Sequence, residues 1–324
     1  MTSLPATGTA PESADPDAHV SLPLPDMVTP GKVLWPYAIT IGLFHVIALG
    51  AFVPWLFTWT AAITMVVGVF VFGQGINLCY HRLLSHRSFV VPLWLERFFV
   101  MIALCCMQDT PGKWVAIHRY HHNHSDHQED PHSPLVNFLW AHVGWLIIQN
   151  PGAHNVGVYR KFAGDVLKDP FYLKLEKTLL WVWIYIAHAA LFTLIGAAVG
   201  WFVEGSLAGA LRFGMSMLVW GVILRTVVVW HITWSVNSLT HLFGYQTYKT
   251  GENSRNNWLV GLLAVGEGWH NNHHHDPASA SNQHRWYELD FTYYVIKALE
   301  VVGLAKKVTQ PRHVRHAGRD ASAA

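Results

Sequence analysis

The chain has 324 residues, of which 52% are hydrophobic and only 13% are charged. A typical soluble domain carries about 25% charged residues, so composition favours an integral membrane protein. The net charge of +2 excludes a nucleic-acid partner held by bulk electrostatics, and three cysteines exclude a disulfide scaffold. The 22 histidines are the unusual feature, and metal binding is the first explanation to test.

Four membrane-spanning helices are predicted, in two hairpins. Residues 1–31 lack an apolar run, which predicts a disordered tail without a secretory signal. Residues 33–80 contain no Asp, Glu, Lys or Arg, and at about 20 residues per pass they hold two passes with a break near residues 54–59. The first hairpin is therefore predicted at 32–80. The second hairpin is predicted at 178–236, from passes near 178–203 and 207–235.

The charge distribution predicts the orientation of the chain. With an even number of passes, the polar segments 81–177 and 237–307 and both termini share one side of the membrane. Every Lys and Arg except Arg212 and Arg225 lies on that side, so the positive-inside rule places it in the cytoplasm. Residues 308–324 are predicted to form a second disordered tail, which is basic.

Histidines occur in four groups near the ends of the predicted passes. Residues i, i+3 and i+4 of an α-helix share a face, so each HxxHH pattern presents three imidazoles together. A pair five residues apart is separated by roughly 140° around an α-helix and is a weaker signal. The groups are His81 and His86; His118, His121 and His122; Asn237 and His241; and His270, His273 and His274.

The residue types narrow the metal without naming it. Nine imidazoles without an obvious ligating carboxylate argue against magnesium or calcium, and they suit iron, copper, nickel or zinc. Two redox metals beside a membrane would indicate oxygen chemistry, whereas two zinc ions would indicate hydrolysis or a structural clamp. A metal transporter is a further alternative, but it would need ligands near the middle of the membrane in broken helices.

These motifs resemble those of the integral-membrane fatty acyl desaturases, specifically the stearoyl-type Δ9 branch. HRLLSHRSF resembles the first histidine box of that family, HRYHH the second and HNNHH the third. The stretches DPHSPLVNFLWAHVGWL and WSVNSLTHLFGY resemble two further segments of the branch. The likeness runs from about Leu78 to Lys307.

The resemblance implies an all-α fold, in which a stem of four transmembrane helices is capped by a cytosolic helical domain with a di-iron centre at the junction. It implies O2-dependent introduction of a cis double bond, at Δ9, into a long saturated acyl chain. A fatty acid or alkane hydroxylase of the same fold is the alternative. Asn237 would act through a water, and no other catalytic residue or organic cofactor is implied. The iron ligands implied are His81, His86, His118, His121, His122, His241, His270, His273 and His274.

The same resemblance implies partners. The chain carries neither a haem motif of the cytochrome b5 type nor a CxxC cluster. Two electrons are therefore expected from a separate ferredoxin, rubredoxin or cytochrome b5 with its reductase. Carboxylates are expected to hold the outer nitrogens of the ligating histidines, and the candidates are Asp109, Asp130, Glu252 and Glu267. Arg225 lies within the fourth pass, where a charge is normally paired.

The sequence departs from the animal acyl-CoA members at the positions that hold the CoA head group. Without charged residues there, the chain loses much of the binding to the CoA phosphates. The acyl chain is then carried on membrane lipid, or CoA is held by other residues such as Lys113 or Arg160. Trp234 is retained and is predicted to contact substrate. The departing positions are Ala116, Ile117, Gln149 and Asn150.

Overall fold

The computed structural model describes residues 21–315, and within that range the chain is helical, with isolated bridges but no β-strand. The predicted all-α class is confirmed. Three π-helical segments, Gly75–Ser85, Trp140–Gly144 and Met217–Leu224, join or extend the α-helices. The α-helices are α1 (Trp35–Ala48), α2 (Trp59–Gln74), α3 (Leu93–Leu104), α4 (Pro111–His124), α5 (Trp145–Ile147), α6 (Val156–Ala163), α7 (Pro170–Lys177), α8 (Leu180–Glu204), α9 (Leu207–Ser216), α10 (Arg225–Ser238), α11 (Trp258–Leu263), α12 (His270–His275) and α13 (Phe291–Val301).

Four continuous helical stretches among these residues are long and apolar enough to cross a membrane, which confirms the four predicted passes. They are Trp35–Phe52, Trp59–Ser85, Leu180–Glu204 and Leu207–His241. The second and fourth have 27 and 35 residues. At 1.5 Å per residue they measure roughly 40 and 52 Å, against a hydrocarbon core of about 30 Å. Both therefore extend beyond the core, and the extended ends carry two of the histidine groups.

The turn between the third and fourth spans shows why this hairpin is so short. Gly205 adopts a positive φ of 61° after α8, and the Ser206 side chain accepts a hydrogen bond from Gly209 N at the start of α9. A Cβ on Gly200 would lie 2.2 Å from the Gly209 carbonyl oxygen. Glycine at such positions lets two membrane helices approach backbone to backbone.

Arg225 is fully buried and caps the end of α3. Its Nη1 donates to the Cys105 carbonyl at 2.7 Å, Nη2 lies 3.1 Å from His188 Nε2, and the guanidinium lies 4.0 Å over the Phe72 ring. The expected partner of the Arg225 charge is thus the C-terminus of α3, because carbonyls at a helix C-terminus carry partial negative charge. This contact fixes the turn between α3 and α4.

Part of each predicted tail lies within the described residues and packs on the protein. Leu22 N donates to Leu135 O, and Thr29 N donates to Gln149 O at 3.1 Å. Near the other end, Thr309 N donates to Ser88 O, and Arg315 reaches the buried Asp276 carboxylate at 2.9 Å. Residues 21–31 and 308–315 therefore differ from the expected tails, because their backbone groups pair with loops distant in sequence. Residues 1–20 and 316–324 lie outside the described range.

Candidate metal centre

The structure brings all nine predicted histidines into two adjacent clusters. Within each cluster, one nitrogen from every ring lies within 4.8 Å of the others. His122 of one cluster stacks on His274 of the other, with ring centroids 4.4 Å apart, so the two clusters are in direct contact. The five-histidine cluster comprises His81, His86, His118, His122 and His273, and the four-histidine cluster comprises His121, His241, His270 and His274.

The first histidine box enters its cluster through a change in helix type. Residues Gly75–Ser85 are π-helical, and His86 N donates to His81 O at 3.1 Å, an i to i+5 bond. A π-helix closes its turn over five residues, so His81 and His86 come round to one side. Their ring centroids lie 4.9 Å apart. The separation of about 140°, which made this pair a weaker signal in the sequence, applies to an α-helix and not to this segment.

Carboxylates hold the outer nitrogens of several clustered histidines. His81 Nδ1 lies 2.8 Å from Glu267, and His121 Nδ1 lies 2.9 Å from Asp130. Glu252 is 3.6 Å from His274 Nδ1. Two of the four carboxylates that the sequence suggested therefore hold clustered histidines, whereas Glu252 accepts hydrogen bonds from Ser254 and only lies near His274. The fourth, Asp109, instead pairs with Tyr37 and Lys113.

The sequence reasoning missed Asp126. Its carboxylate lies 2.9 Å from His241 Nδ1 and also accepts the backbone N–H of Asn253 at 2.8 Å. Burial opposes ionisation of this carboxyl, but His241 and the hydrogen bonds outweigh burial and lower its pKa. Asp126 and His241 are 115 residues apart, and only its position four residues before Asp130 could have singled Asp126 out.

The clustered imidazoles suit a cation. Burial, reinforced by neighbouring histidines, lowers the pKa of His86, His118 and His122 well below the usual value, so these rings are neutral at pH 7. Neutral imidazole is the form that ligates metals. His81 Nε2 lies 3.0 Å from His273 Nε2, although a carboxylate already holds the first ring through Nδ1. Lone pairs that converge in this way fit a shared cation.

Three other histidines lie close to the clusters without joining the predicted ligands. His132 packs against His121 with ring centroids 4.3 Å apart, and burial lowers its pKa to about 3. His275 turns away and stacks on Tyr248 at 3.8 Å, as expected for the third of three consecutive histidines. His124 Nδ1 is paired with the Tyr120 carbonyl.

Replacing Asp126 with asparagine should cost roughly ten- to a hundredfold in metal affinity, the usual loss when the carboxylate behind a ligating histidine is removed. Asparagine has the same shape and tolerates the φ of 58° at this position, so the backbone stays unstrained. Metal titration of the purified variant measures the effect. Glu129→Gln, an exposed change in the same loop, is the control. Equal affinities for both variants would exclude the role of Asp126.

A mostly apolar cavity of about 350 Å³ lies beside the five-histidine cluster. His118 of that cluster and the predicted Asn237 both line it. Trp234 also lines it, and Gln108 donates to Thr233 Oγ1 at 3.0 Å across one wall. The first turns of α1 and α8 also line it, through residues such as Tyr37 and Trp181.

The fold and the histidine clusters therefore indicate an integral membrane protein with a metal centre next to an apolar cavity. A family model described as fatty acid desaturase matches residues 53–304. The chain belongs to the fatty acid desaturase family and is an oxidoreductase of lipid metabolism, as its histidine boxes predicted.

Individual relatives support the family and differ in acyl carrier. The chain is 40% identical to an sn-1 stearoyl-lipid 9-desaturase of Anabaena variabilis, over 86% of this chain and 95% of that protein. It is 39% identical to an sn-2 palmitoyl-lipid 9-desaturase of Nostoc, over 86% of this chain and 90% of that protein. It is 40% identical to an acyl-CoA 5-desaturase of Anemone leveillei, over 86% of this chain and 80% of that protein.

Proposed function

We propose that this protein introduces a cis double bond at Δ9 into long saturated acyl chains carried on membrane glycerolipid, and that it uses glycerolipid at least as readily as acyl-CoA. The observation that carries the proposal is the apolar cavity, which is lined by His118 and Asn237 and by the first turns of two membrane spans. A lining that combines membrane spans with the metal centre suits an acyl chain that comes from the bilayer. Burial of each methylene contributes about 0.8 kcal/mol whatever the carrier.

Three of the four positions that lack CoA-binding charges are also buried. Ala116 and Ile117 are buried, and Ile117 lines the apolar cavity. Asn150 is buried too, and its side chain accepts the backbone N–H groups of Gly152 and Ala153. These residues cannot grip phosphates as cations do. The names of the relatives include both carriers, so this local geometry is what favours lipid.

The proposal assigns two irons to the two clusters, with the nine histidines as ligands and Asn237 acting through a water. Imidazole ligands suit iron and leave coordination positions open. When bound, the irons would activate O2 with two electrons from a separate ferredoxin, rubredoxin or cytochrome b5. Both clusters and both termini are placed in the cytoplasm, where such donors reside, in accordance with the positive-inside rule.

The residues around the clusters orient the chemistry. Glu267, Asp130 and Asp126 hold the Nδ1 atoms, so the Nε2 atoms face inwards. Trp114 stacks on His118 with centroids 5.0 Å apart, which fixes that ring at the cavity wall. The apolar lining excludes water, and it holds the methylene pair in one orientation beside the clusters.

Purified enzyme with its electron donors should convert labelled stearoyl phospholipid to the Δ9 alkene at a rate equal to or above that for labelled stearoyl-CoA. The two substrates are offered separately, and products are separated by mass. An alcohol product would indicate a hydroxylase. Rapid conversion of the CoA ester with no conversion of phospholipid would contradict the assigned carrier and would show that CoA is held by other residues.

A further inference from the structure

A small charged cluster lies in the lining of the mostly apolar cavity. Lys113 Nζ donates to Tyr37 Oη and lies 3.2 Å from the Asp109 carboxylate, and Tyr37 Oη donates to Asp109 at 2.5 Å. Among the described residues that line this cavity, Asp109 and Lys113 are the only Asp, Glu, Lys or Arg. A charged pair in such a lining requires an explanation, because desolvation of both groups is costly.

The cluster is held in place from two sides. The Glu176 carboxylate accepts the backbone N–H groups of Gly112 and Lys113 at 2.8 and 3.2 Å, at the first turn of α4. Asp109 adopts a left-handed φ of 63°, a conformation that this residue type tolerates. The ammonium position is therefore defined by the backbone on one side and by Tyr37, at the start of the first span, on the other.

The charges balance, which indicates the kind of ligand. Asp109 neutralises Lys113, so the pair lacks the net positive charge that would favour a phosphate. An ammonium has three N–H donors. Within residues 21–315 its acceptors are Tyr37 Oη and the two oxygens of Asp109, each of which lies 3.2 Å away. When both Asp109 oxygens share one N–H, another N–H remains for an acceptor in the cavity. One strong donor in a mostly apolar lining suits a neutral oxygen acceptor, such as an ester carbonyl.

The position of the cluster relative to the metal centre indicates a function for the Lys113 donor. Lys113 and His118 lie on the same helix and both line the cavity. Five residues separate them, or roughly 7.5 Å along the helix axis. That distance is spanned by a few methylene groups of an acyl chain. A carbonyl fixed at Lys113 would therefore fix which methylene pair lies beside His118.

We infer that Lys113, positioned by Asp109 and Tyr37, binds the ester carbonyl of the acyl chain and so sets the position of the double bond counted from that carbonyl. The inference rests on the proposed desaturation of lipid-linked acyl chains. It assigns to these three residues a role in positional specificity rather than in the metal centre.

The test is the position of the double bond in products made by Lys113→Met. This change keeps most of the side-chain volume and removes the donor. Loss of one charge-assisted hydrogen bond should lower the preference for the wild-type position by about ten- to a hundredfold, with new alkenes at neighbouring carbons. Lys113→Arg should keep one position, and Tyr37→Phe should shift it partially. Lys174→Met, an exposed change, is the control.

The outcomes separate this inference from the proposed function. If the wild-type enzyme makes no alkene from any lipid, the proposed function fails. If the wild type makes one product and Lys113→Met makes the same single product at any rate, the carbonyl anchor is wrong. A purely structural role for the cluster would lower yield without moving the double bond. If Lys113→Met does not accumulate, an unshifted product from Tyr37→Phe overturns the inference.

Discussion

Replacing His121 with alanine will abolish desaturation and will reduce bound iron from about two ions per chain towards one, since the four-histidine cluster then keeps only three imidazoles. His121 is buried, and Asp130 holds its Nδ1 at 2.9 Å, so alanine removes a ligand ring together with its contact to that carboxylate. Iron analysis of protein from iron-replete cells, together with product analysis, measures both effects. Zinc can replace iron during overexpression, because it binds such sites at least as tightly.

Two controls make the result specific. His124→Ala removes a histidine from the same helix whose Nδ1 pairs with the Tyr120 carbonyl outside the clusters. His313→Ala removes one from the C-terminal segment, where it packs against His284 with ring centroids 4.8 Å apart. Both variants should keep their iron and their activity. Full activity in His121→Ala would refute the assignment of the four-histidine cluster.

The sequence predicted the composition of the site better than its geometry. The two HxxHH motifs are α-helical, so they meet the i, i+3, i+4 rule. Each motif nevertheless contributes to both clusters, since His121 and His273 lie in a different cluster from the rest of their motif. The first box did not meet it, since the π-helical segment that brings His81 to His86 depends on packing of this span against α3. There a Cβ on Gly75 would lie 2.5 Å from Ala103 N. When a tertiary contact imposes a local helix type, the hydrophobic periodicity of the sequence does not reveal it.

Contacts between residues far apart in sequence account for most of what was missed. Asp126 pairs with His241 and Arg225 caps α3, and neither contact follows from spacing along one helix. The Lys113 cluster is similar, because it needs Tyr37 from the first span. The family resemblance predicts the ligands and the chemistry, whereas these pairings follow only from the three-dimensional structure.

The largest expected loss of stability comes from Arg82→Met. Arg82 is 1% exposed. Its Nε and Nη2 donate to Glu267 at 3.0 and 2.8 Å, and its Nη1 donates to Asp290 at 2.9 Å. Burial alone would raise the pKa of the Glu267 carboxyl, but Arg82 and His81 outweigh burial and hold that pKa at about 2. The variant therefore leaves two buried carboxylates without their cation.

Breaking one buried ion pair in this way costs about 3–5 kcal/mol of the free energy of unfolding. Arg97→Met is the matched control, since its pair with Asp169 is only partly buried, with exposed side-chain fractions of 32% and 28%. A pair of that kind contributes about 0–1 kcal/mol. Thermal unfolding in detergent, followed by tryptophan fluorescence, should show a far lower midpoint for Arg82→Met than for Arg97→Met.

The same comparison, made with metal present and after chelation, separates two effects of Arg82. Glu267 also holds His81 Nδ1 at 2.8 Å, so a disturbed carboxylate would weaken the five-histidine cluster as well as the fold. The stability gap between Arg82→Met and wild type should persist after chelation, because the ion pair itself needs no metal. Arg82→Lys should be intermediate, since lysine keeps the charge but cannot present a forked donor. A gap that disappears on chelation would show that Arg82 acts through metal binding alone.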